Sequence, residues 1–200
     1  MYETLLHNLR AKGYGAQVFS SEKEVVDYLV DQIQNTTVAF GGSMTLEKLG
    51  LYERLSVKNH VSWHWRIPEG KTGTQVLKEA RDAVVYVSSA NAIATSGEIV
   101  NIDGNGNRVA EILYGHERVY FVVGKNKISK DLNSAMWRAK NIAAPLNALR
   151  LHSETPCAKH GAKCFQCRSP QRICRATVIL NEPPLKAKYE VLIVDQVLGY

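Results

Sequence analysis

The sequence predicts an α/β fold in which a mainly parallel sheet is flanked by helices. Three observations carry that expectation. Apolar runs of four or five residues at 37–40, 83–87 and 119–123 have the unbroken hydrophobicity of strands buried on both faces. Segments of helical period alternate with them. The first run ends in Gly41-Gly42-Ser43, the kind of strand-to-helix turn at which such sheets bind ligands.

Residues 2–11 read as a short amphipathic helix, and Ser21 with Glu24 three residues later forms a capping box that starts a second one. Its apolar stripe is Val25, Val26, Leu29, Val30 and Ile33. The strand at 37–40 follows a polar break at Asn35, and 44–55 then has helical character. Residues 61–65 give a second strand, 74–81 a helix and 83–87 a third strand. The stretches 98–102 and 108–113 flank Asp-Gly-Asn-Gly-Asn, whose two X-Gly pairs predict an antiparallel hairpin. After the strand at 119–123, Leu132, Ala135, Met136, Ala139, Ile142 and Ala143 mark a long helix that Pro145 is expected to end or kink. A Cys-rich loop at 152–176 is then inserted before two last strands, at 177–180 and 191–194, which Pro183-Pro184 separates. With no internal repeat, the elements fit one domain over 1–200, with 1–14 as an N-terminal helix.

Composition agrees with a globular chain. Of 200 residues, 45% are hydrophobic and 22% charged, and a chain of this size can bury roughly 70% of its unfolded surface without disulfides. No apolar run approaches the roughly 20 residues of a membrane span and the start lacks a signal-peptide pattern, so a cytoplasmic location is expected. The net charge of +6 is uneven. Residues 1–124 hold 12 basic and 14 acidic side chains, whereas 125–200 hold 13 and 5. Nucleic acid is one partner such asymmetry admits, but no helix-turn-helix, zinc-finger or ribonucleoprotein signature accompanies it, and a nearby anion is the simpler cause.

Two loops carry the candidate ligand site. In the glycine-rich turn, Gly41 and Gly42 let backbone approach an anion, helical N–H groups can point at it, and Ser43 and Thr45 can each donate a hydrogen bond. The conservative reading is a plain turn with Ser43 as helix cap. The turn is neither a P-loop nor a dinucleotide fingerprint. The second loop, residues 88–98, leaves the 83–87 strand at the same sheet edge and brings Asn91 and Thr95, so the two are expected to converge. Glu98 and His116 are the candidate acid or base groups, although a carboxylate at the start of a hairpin strand is most often simply solvated.

All four cysteines fall between Cys157 and Cys174, in a Cys-x6-Cys-x2-Cys-x6-Cys spacing with His160 in the first gap. Cys164 and Cys167 have the bite that wraps a metal, and Cys157 and Cys174 complete a four-sulfur set in which His160 can replace one thiolate. Structural zinc and an iron–sulfur cluster both accept this spacing. Lys159, Lys163, Arg168, Arg172 and Arg175 surround the cysteines, which lowers thiol pKa values and offsets thiolate charge. Free thiols on a basic loop and a redox dithiol at Cys164 and Cys167 are the alternatives.

Three stretches together resemble the LUD-domain family, the lactate utilization proteins related to lactate utilization protein C. They are Phe-Gly-Gly-Ser-Met-Thr-Leu-Glu-Lys-Leu-Gly-Leu, then Ser-Ser-Ala-Asn-Ala-Ile-Ala-Thr-Ser-Gly-Glu-Ile-Val, and the run ending Ser-Pro-Gln-Arg-Ile-Cys, which is similar to a subgroup with a C-terminal Cys-rich motif. The likeness extends from about residue 15 onward. It implies the fold of ribose-5-phosphate isomerase, glucosamine-6-phosphate deaminase and coenzyme A transferases, with Gly41, Gly42, Ser43 and Thr45 as an anion loop. Sugar-phosphate isomerases of that fold carry acids in the second loop, where this chain has Asn91, Ala92 and Ile93. The resemblance thus implies an accessory role in lactate or organic-acid oxidation, with a stand-alone isomerase or acyl-CoA transferase using Glu98 as the alternative. The partners expected are a small anionic ligand, subunits of a lactate oxidation system and further copies of the chain in a homo-oligomer, with no membrane.

Overall fold

The computed structural model describes residues 2–161 and 163–200. Strands numbered in chain order form two sheets. The main sheet contains β1 (Gly15–Phe19), β2 (Thr37–Phe40), β3 (His60–Ser62), β4 (Val85–Ser88), β7 (Arg118–Gly124) and β10 (Lys188–Val194), in the spatial order β1-β10-β7-β4-β2-β3. Every pairing in it is parallel. The smaller sheet is built from β5 (Ala92–Ala94), β6 (Ile99–Asp103), β8 (Ile128–Ser129) and β9 (Ala176–Leu180), in the order β8-β5-β6-β9.

Alternation along β7 shows why these runs are strands. Val119, Phe121 and Val123 face α1 (Tyr2–Ala11), where Leu5 and Leu9 are fully buried. Tyr120 and Val122 face the opposite layer, made by α2 (Glu22–Gln32), α3 (Met44–Lys48) and α4 (Leu51–Ser56), with Val25, Leu29, Leu46, Leu51 and Leu55 in the same cluster. A central parallel strand has no solvent face, so both sets of side chains must be apolar. The sequence expectation of a parallel sheet between helical layers is met.

Several local expectations are corrected. The 44–55 helix is broken at Gly50, which takes a left-handed φ of 59° and splits it into α3 and α4. The hairpin through the Asp-Gly-Asn-Gly-Asn turn does not form. Instead, the Asp103 carboxylate accepts from the backbone N–H groups of Asn105, Gly106, Arg108 and Val109, which turns the chain into α6 (Asn107–Glu111). The antiparallel partners of β6 are β5, just before it, and β9, far along the chain.

Pro145 does not end the long helix. After α7 (Leu132–Arg138) the chain takes one π-helical stretch, Ala139–Ala143, and continues as α8 (Ala144–Arg150) with the proline in its first turn. The wider turn relieves the clash a proline ring makes with the preceding turn. The Cys-rich segment contains a short helix, α9 (Pro156–His160). β1, β5 and β8 were not signalled by the sequence pattern. α5 (Gly73–Arg81) opens with a capping box between Thr72 and Gln75.

Leu29→Ala, which removes a fully buried side chain of α2, is expected to lower unfolding free energy by about 2–5 kcal/mol in urea titrations. Leu185→Ala, at a fully exposed position, is expected to stay within about 0.5 kcal/mol.

Candidate functional site

A parallel sheet presents the C-terminal ends of its strands on one side, and there the structure forms a cavity of about 310 Å³. Its walls come from the loops after β2 (Gly42, Ser43, Thr45), β3 (His64, Trp65), β4 (Ser89, Asn91), β7 (Lys127) and β10 (Tyr200). The turn after β6 adds Asp103 and Arg108, and α8 adds Asn147 and Arg150. The two loops expected to converge do so.

Lys127 is the central side chain. It is 3% exposed, and its ammonium donates to Thr45 Oγ1 at 2.9 Å and to Ser89 Oγ at 3.0 Å. It therefore ties the loop after β2 to the loop after β4. Burial, reinforced by the nearby Arg138 and Arg108 cations, pushes its pKa down to about 7. Among the described residues its partners are these two hydroxyls, with no ion pair to a carboxylate.

The arginines serve different ends. Arg108 is fixed by neutral acceptors, donating to Ser89 O (3.2 Å), Asn91 Oδ1 (3.2 Å) and Ile102 O (2.7 Å), and also to Asn101 Oδ1. Arg138 donates from α7 to the backbone carbonyls of Asn126 and Asn91, locking the loops after β7 and β4 together. Arg150 lies 4.8 Å over the Trp65 ring and is oriented by Asn147 Oδ1. His64 also lines the cavity, and burial lowers its pKa, so its ring is neutral near pH 7. Its Nδ1 has no hydrogen-bond partner among the described residues.

The predicted ligand residues divide. Gly42, Ser43, Thr45 and Asn91 line the cavity, and Gly41 and Thr95 do not. Gly41 lies behind the wall, where a Cβ would come within 2.7 Å of Ser88 Oγ and Tyr86 Oη and 3.1 Å of Arg108 Cδ, so glycine is required for close packing. Thr95 instead bonds to Ser129 O across the β5–β8 edge. Ser43 caps α3 by accepting from Leu46 N–H. At five residues α3 is too short to supply the helical anion site that the turn suggested, and the positive charge at the cavity comes from side chains.

The two acid or base candidates lie elsewhere. Glu98 stands at the start of β6, paired with Lys12 at 3.1 Å and accepting from Ser96. Burial would raise its pKa, but the Ser96 and backbone hydrogen bonds together with Lys12 outweigh that and hold the carboxyl below its usual range. It is a structural ion pair outside the cavity. His116 precedes β7, at the N-terminal and hence opposite edge of the sheet. It is enclosed by Ala83 O (2.6 Å), Glu111 Oε2 (2.9 Å) and the Tyr86 ring stacked at 4.9 Å.

The cysteines surround a second cavity of about 170 Å³, to which Cys157, Cys164, Cys167 and Cys174 all contribute. Among the described residues, no three Cys, His, Asp or Glu side chains converge closely enough to hold a metal ion. His160 is not in the wall and packs instead against Phe165, with ring centroids 5.9 Å apart.

Sequence reasoning missed Lys127, Arg108, Arg150, His64 and Tyr200. Lys127 sits in Lys-Asn-Lys, which reads as a solvated run until the fold buries its last member. A lysine whose folded pKa lies near 7 and whose unfolded pKa lies near 10.5 binds its proton more weakly when folded. Stability is therefore expected to rise with pH between these values and to gain nothing from this group below about pH 7. Melting temperature of the ligand-free chain measured from pH 6 to 9 checks this, and Lys127→Met is expected to flatten the rise.

No curated protein matches the chain. A solved structure of a DUF162 family protein from Deinococcus radiodurans superposes with a TM-score of 0.55 at 11% identity, covering 96% of this chain and 95% of that one, which is a likeness of fold alone. The fold is consistent with the isomerase, deaminase and transferase type that the sequence suggested. The family model of the LUD domain matches residues 2–194, so the likeness includes α1 and does not start at about residue 15. The chain belongs to the LUD domain family.

Proposed function

We propose that the chain binds a small carboxylate or phosphate ligand in the cavity at the sheet edge and serves as an accessory to a lactate or organic-acid oxidation system. The observation that carries the reading is the buried Lys127 ammonium, whose hydrogen-bond partners are two hydroxyls. A buried cation costs stability unless it is paired. A ligand anion would supply the missing charge, with Arg108 and Arg150 on the same walls. The volume of about 310 Å³ suits a compact ligand. Membership of the LUD domain family supports a lactate-utilization-type role. The reading also includes a metal centre, zinc or iron–sulfur, at the cysteine cavity, with assembly into a homo-oligomer and with oxidase subunits. The stand-alone enzyme using Glu98 has no support from the geometry, because that carboxylate is outside the cavity and already paired.

Thermal unfolding with L-lactate, pyruvate or inorganic phosphate added tests the binding. At least one is expected to raise the midpoint in proportion to the logarithm of its concentration above Kd, by the equivalent of about 2.7 kcal/mol at a hundredfold excess over Kd. Lys127→Ala is expected to abolish the rise and Glu98→Gln to leave it intact. A rise that survives Lys127→Ala would overturn the assignment. For the accessory role, co-purification with oxidoreductase subunits and no turnover by the chain alone are expected.

A further inference from the structure

The four cysteines ring one cavity, and three of their sulfurs have hydrogen-bond partners within the cysteine segment itself. Thr155 Oγ1 lies 3.3 Å from Cys157 Sγ, the Gln166 amide donates to Cys164 Sγ at 3.3 Å, and the Arg172 guanidinium donates to Cys174 Sγ at 3.3 Å. Arg172 also donates to the carbonyls of Cys167 and Cys174, spanning the second half of the ring. The Cys164 amide donates to Asn141 Oδ1, a side chain from the π-helical stretch. The rest of the wall is largely apolar, with Ala144, Pro145, Ala148, Phe165 and Ile173.

This arrangement discriminates between the metal centres that the spacing leaves open. Zinc gathers four ligands at about 2.3 Å from a single point. Here the four sulfurs line a cavity of about 170 Å³. A cube of four irons and four sulfides, each iron taking one cysteine, calls for a ring of thiolates around a volume. We propose that Cys157, Cys164, Cys167 and Cys174 hold a [4Fe–4S] cluster, one wall away from the anion cavity. In its oxidised form the four-thiolate cluster carries a net charge of −2, which Arg172 and the neighbouring lysines and arginines offset.

The position of the cluster relative to the ligand gives it a second property. Ala144 and Ile173 line both cavities, and the turn at Asp103 and Gly104 touches the cysteine segment through Arg175 N–H to Asp103 O at 3.0 Å. This part rests on the anion reading of the larger cavity. An anion on one side of that wall and a negatively charged cluster on the other repel each other. Adding one electron, from [4Fe–4S]2+ to [4Fe–4S]+, weakens anion binding, and by reciprocity a bound anion lowers the cluster's reduction potential.

The test uses the full chain purified without oxygen, then supplied with sulfide and with ferrous and ferric iron in equal amounts, the mixture that a [4Fe–4S]2+ core contains. About four irons and four sulfides per chain, with a brown colour lost on dithionite reduction and a paramagnetic signal gained, are expected. One zinc per chain without sulfide, or a chain that keeps no iron and sulfide after desalting, overturns the cluster. Cys167→Ser is expected to lose iron and sulfide while circular dichroism is unchanged. Should that variant unfold, the metal content of the unsubstituted chain still decides. Redox titration with dithionite is then run with and without L-lactate and inorganic phosphate. A tenfold weaker affinity for the reduced form appears as a downward shift of about 59 mV. Lys127→Met is expected to keep the iron and lose the shift. A loaded cluster whose potential ignores an anion that binds overturns the coupling and leaves the cluster standing. Anion stabilisation without a cluster overturns the cluster and leaves the ligand site standing.

Discussion

The site depends on one constraint, the parallel register of the main sheet. Because β2, β3, β4, β7 and β10 all run the same way, the loops that leave them emerge side by side. Reversing one strand would send its loop to the far edge, where His116 lies. Parallel pairing in turn demands helical covers on both faces and strands with no polar alternation, which is the pattern of residues 119–123. The hydrophobic order of the core and the gathering of Thr45, Ser89 and Lys127 at one point are thus consequences of the same geometry.

Within that frame the polar interior is arranged around cations. Arg138 and Arg108 are spent on carbonyl and amide oxygens of neighbouring loops, so each stitches backbone to backbone. Lys127 has the least compensation, and its depressed pKa is the electrostatic signature of that shortfall. The smaller sheet and the α7–α8 helix close over these groups, and Ala92, Ala94, Ala135, Ala139 and Ala144 in the same cluster let the layers approach closely.

The sequence made the buried strands legible because their hydrophobicity is continuous, and the helix at 22–32 because its cap Ser21 and its apolar spacing agree. It misled where local chemistry had two uses. X-Gly pairs signal a hairpin, yet Asp103 used the same turn to start a helix, and β6 takes its antiparallel partners from β5 and β9. The three-residue β5 and two-residue β8 are too short to show a period. At the site, the glycine turn and the 88–98 loop were readable as strand-end loops. Lys127, Arg108 and Arg150 were not, since a cation's sequence neighbourhood does not reveal burial. Glu98 drew attention by its isolation along the chain, while Lys12 from α1 had already claimed it in space.

The placement of β10 bears on how the protein comes into being. It is the last strand along the chain but an inner one in the sheet, lying between β1 and β7 with seven residues in register with β7. β1 and β7 both precede in the chain the strand that pairs their facing edges, and neither edge is satisfied until β10 docks. Until β10 is in place the main sheet is divided into β1 on one side and β7-β4-β2-β3 on the other, each with an unpaired edge. Folding thus exposes two pairing edges that the docking of one strand removes together.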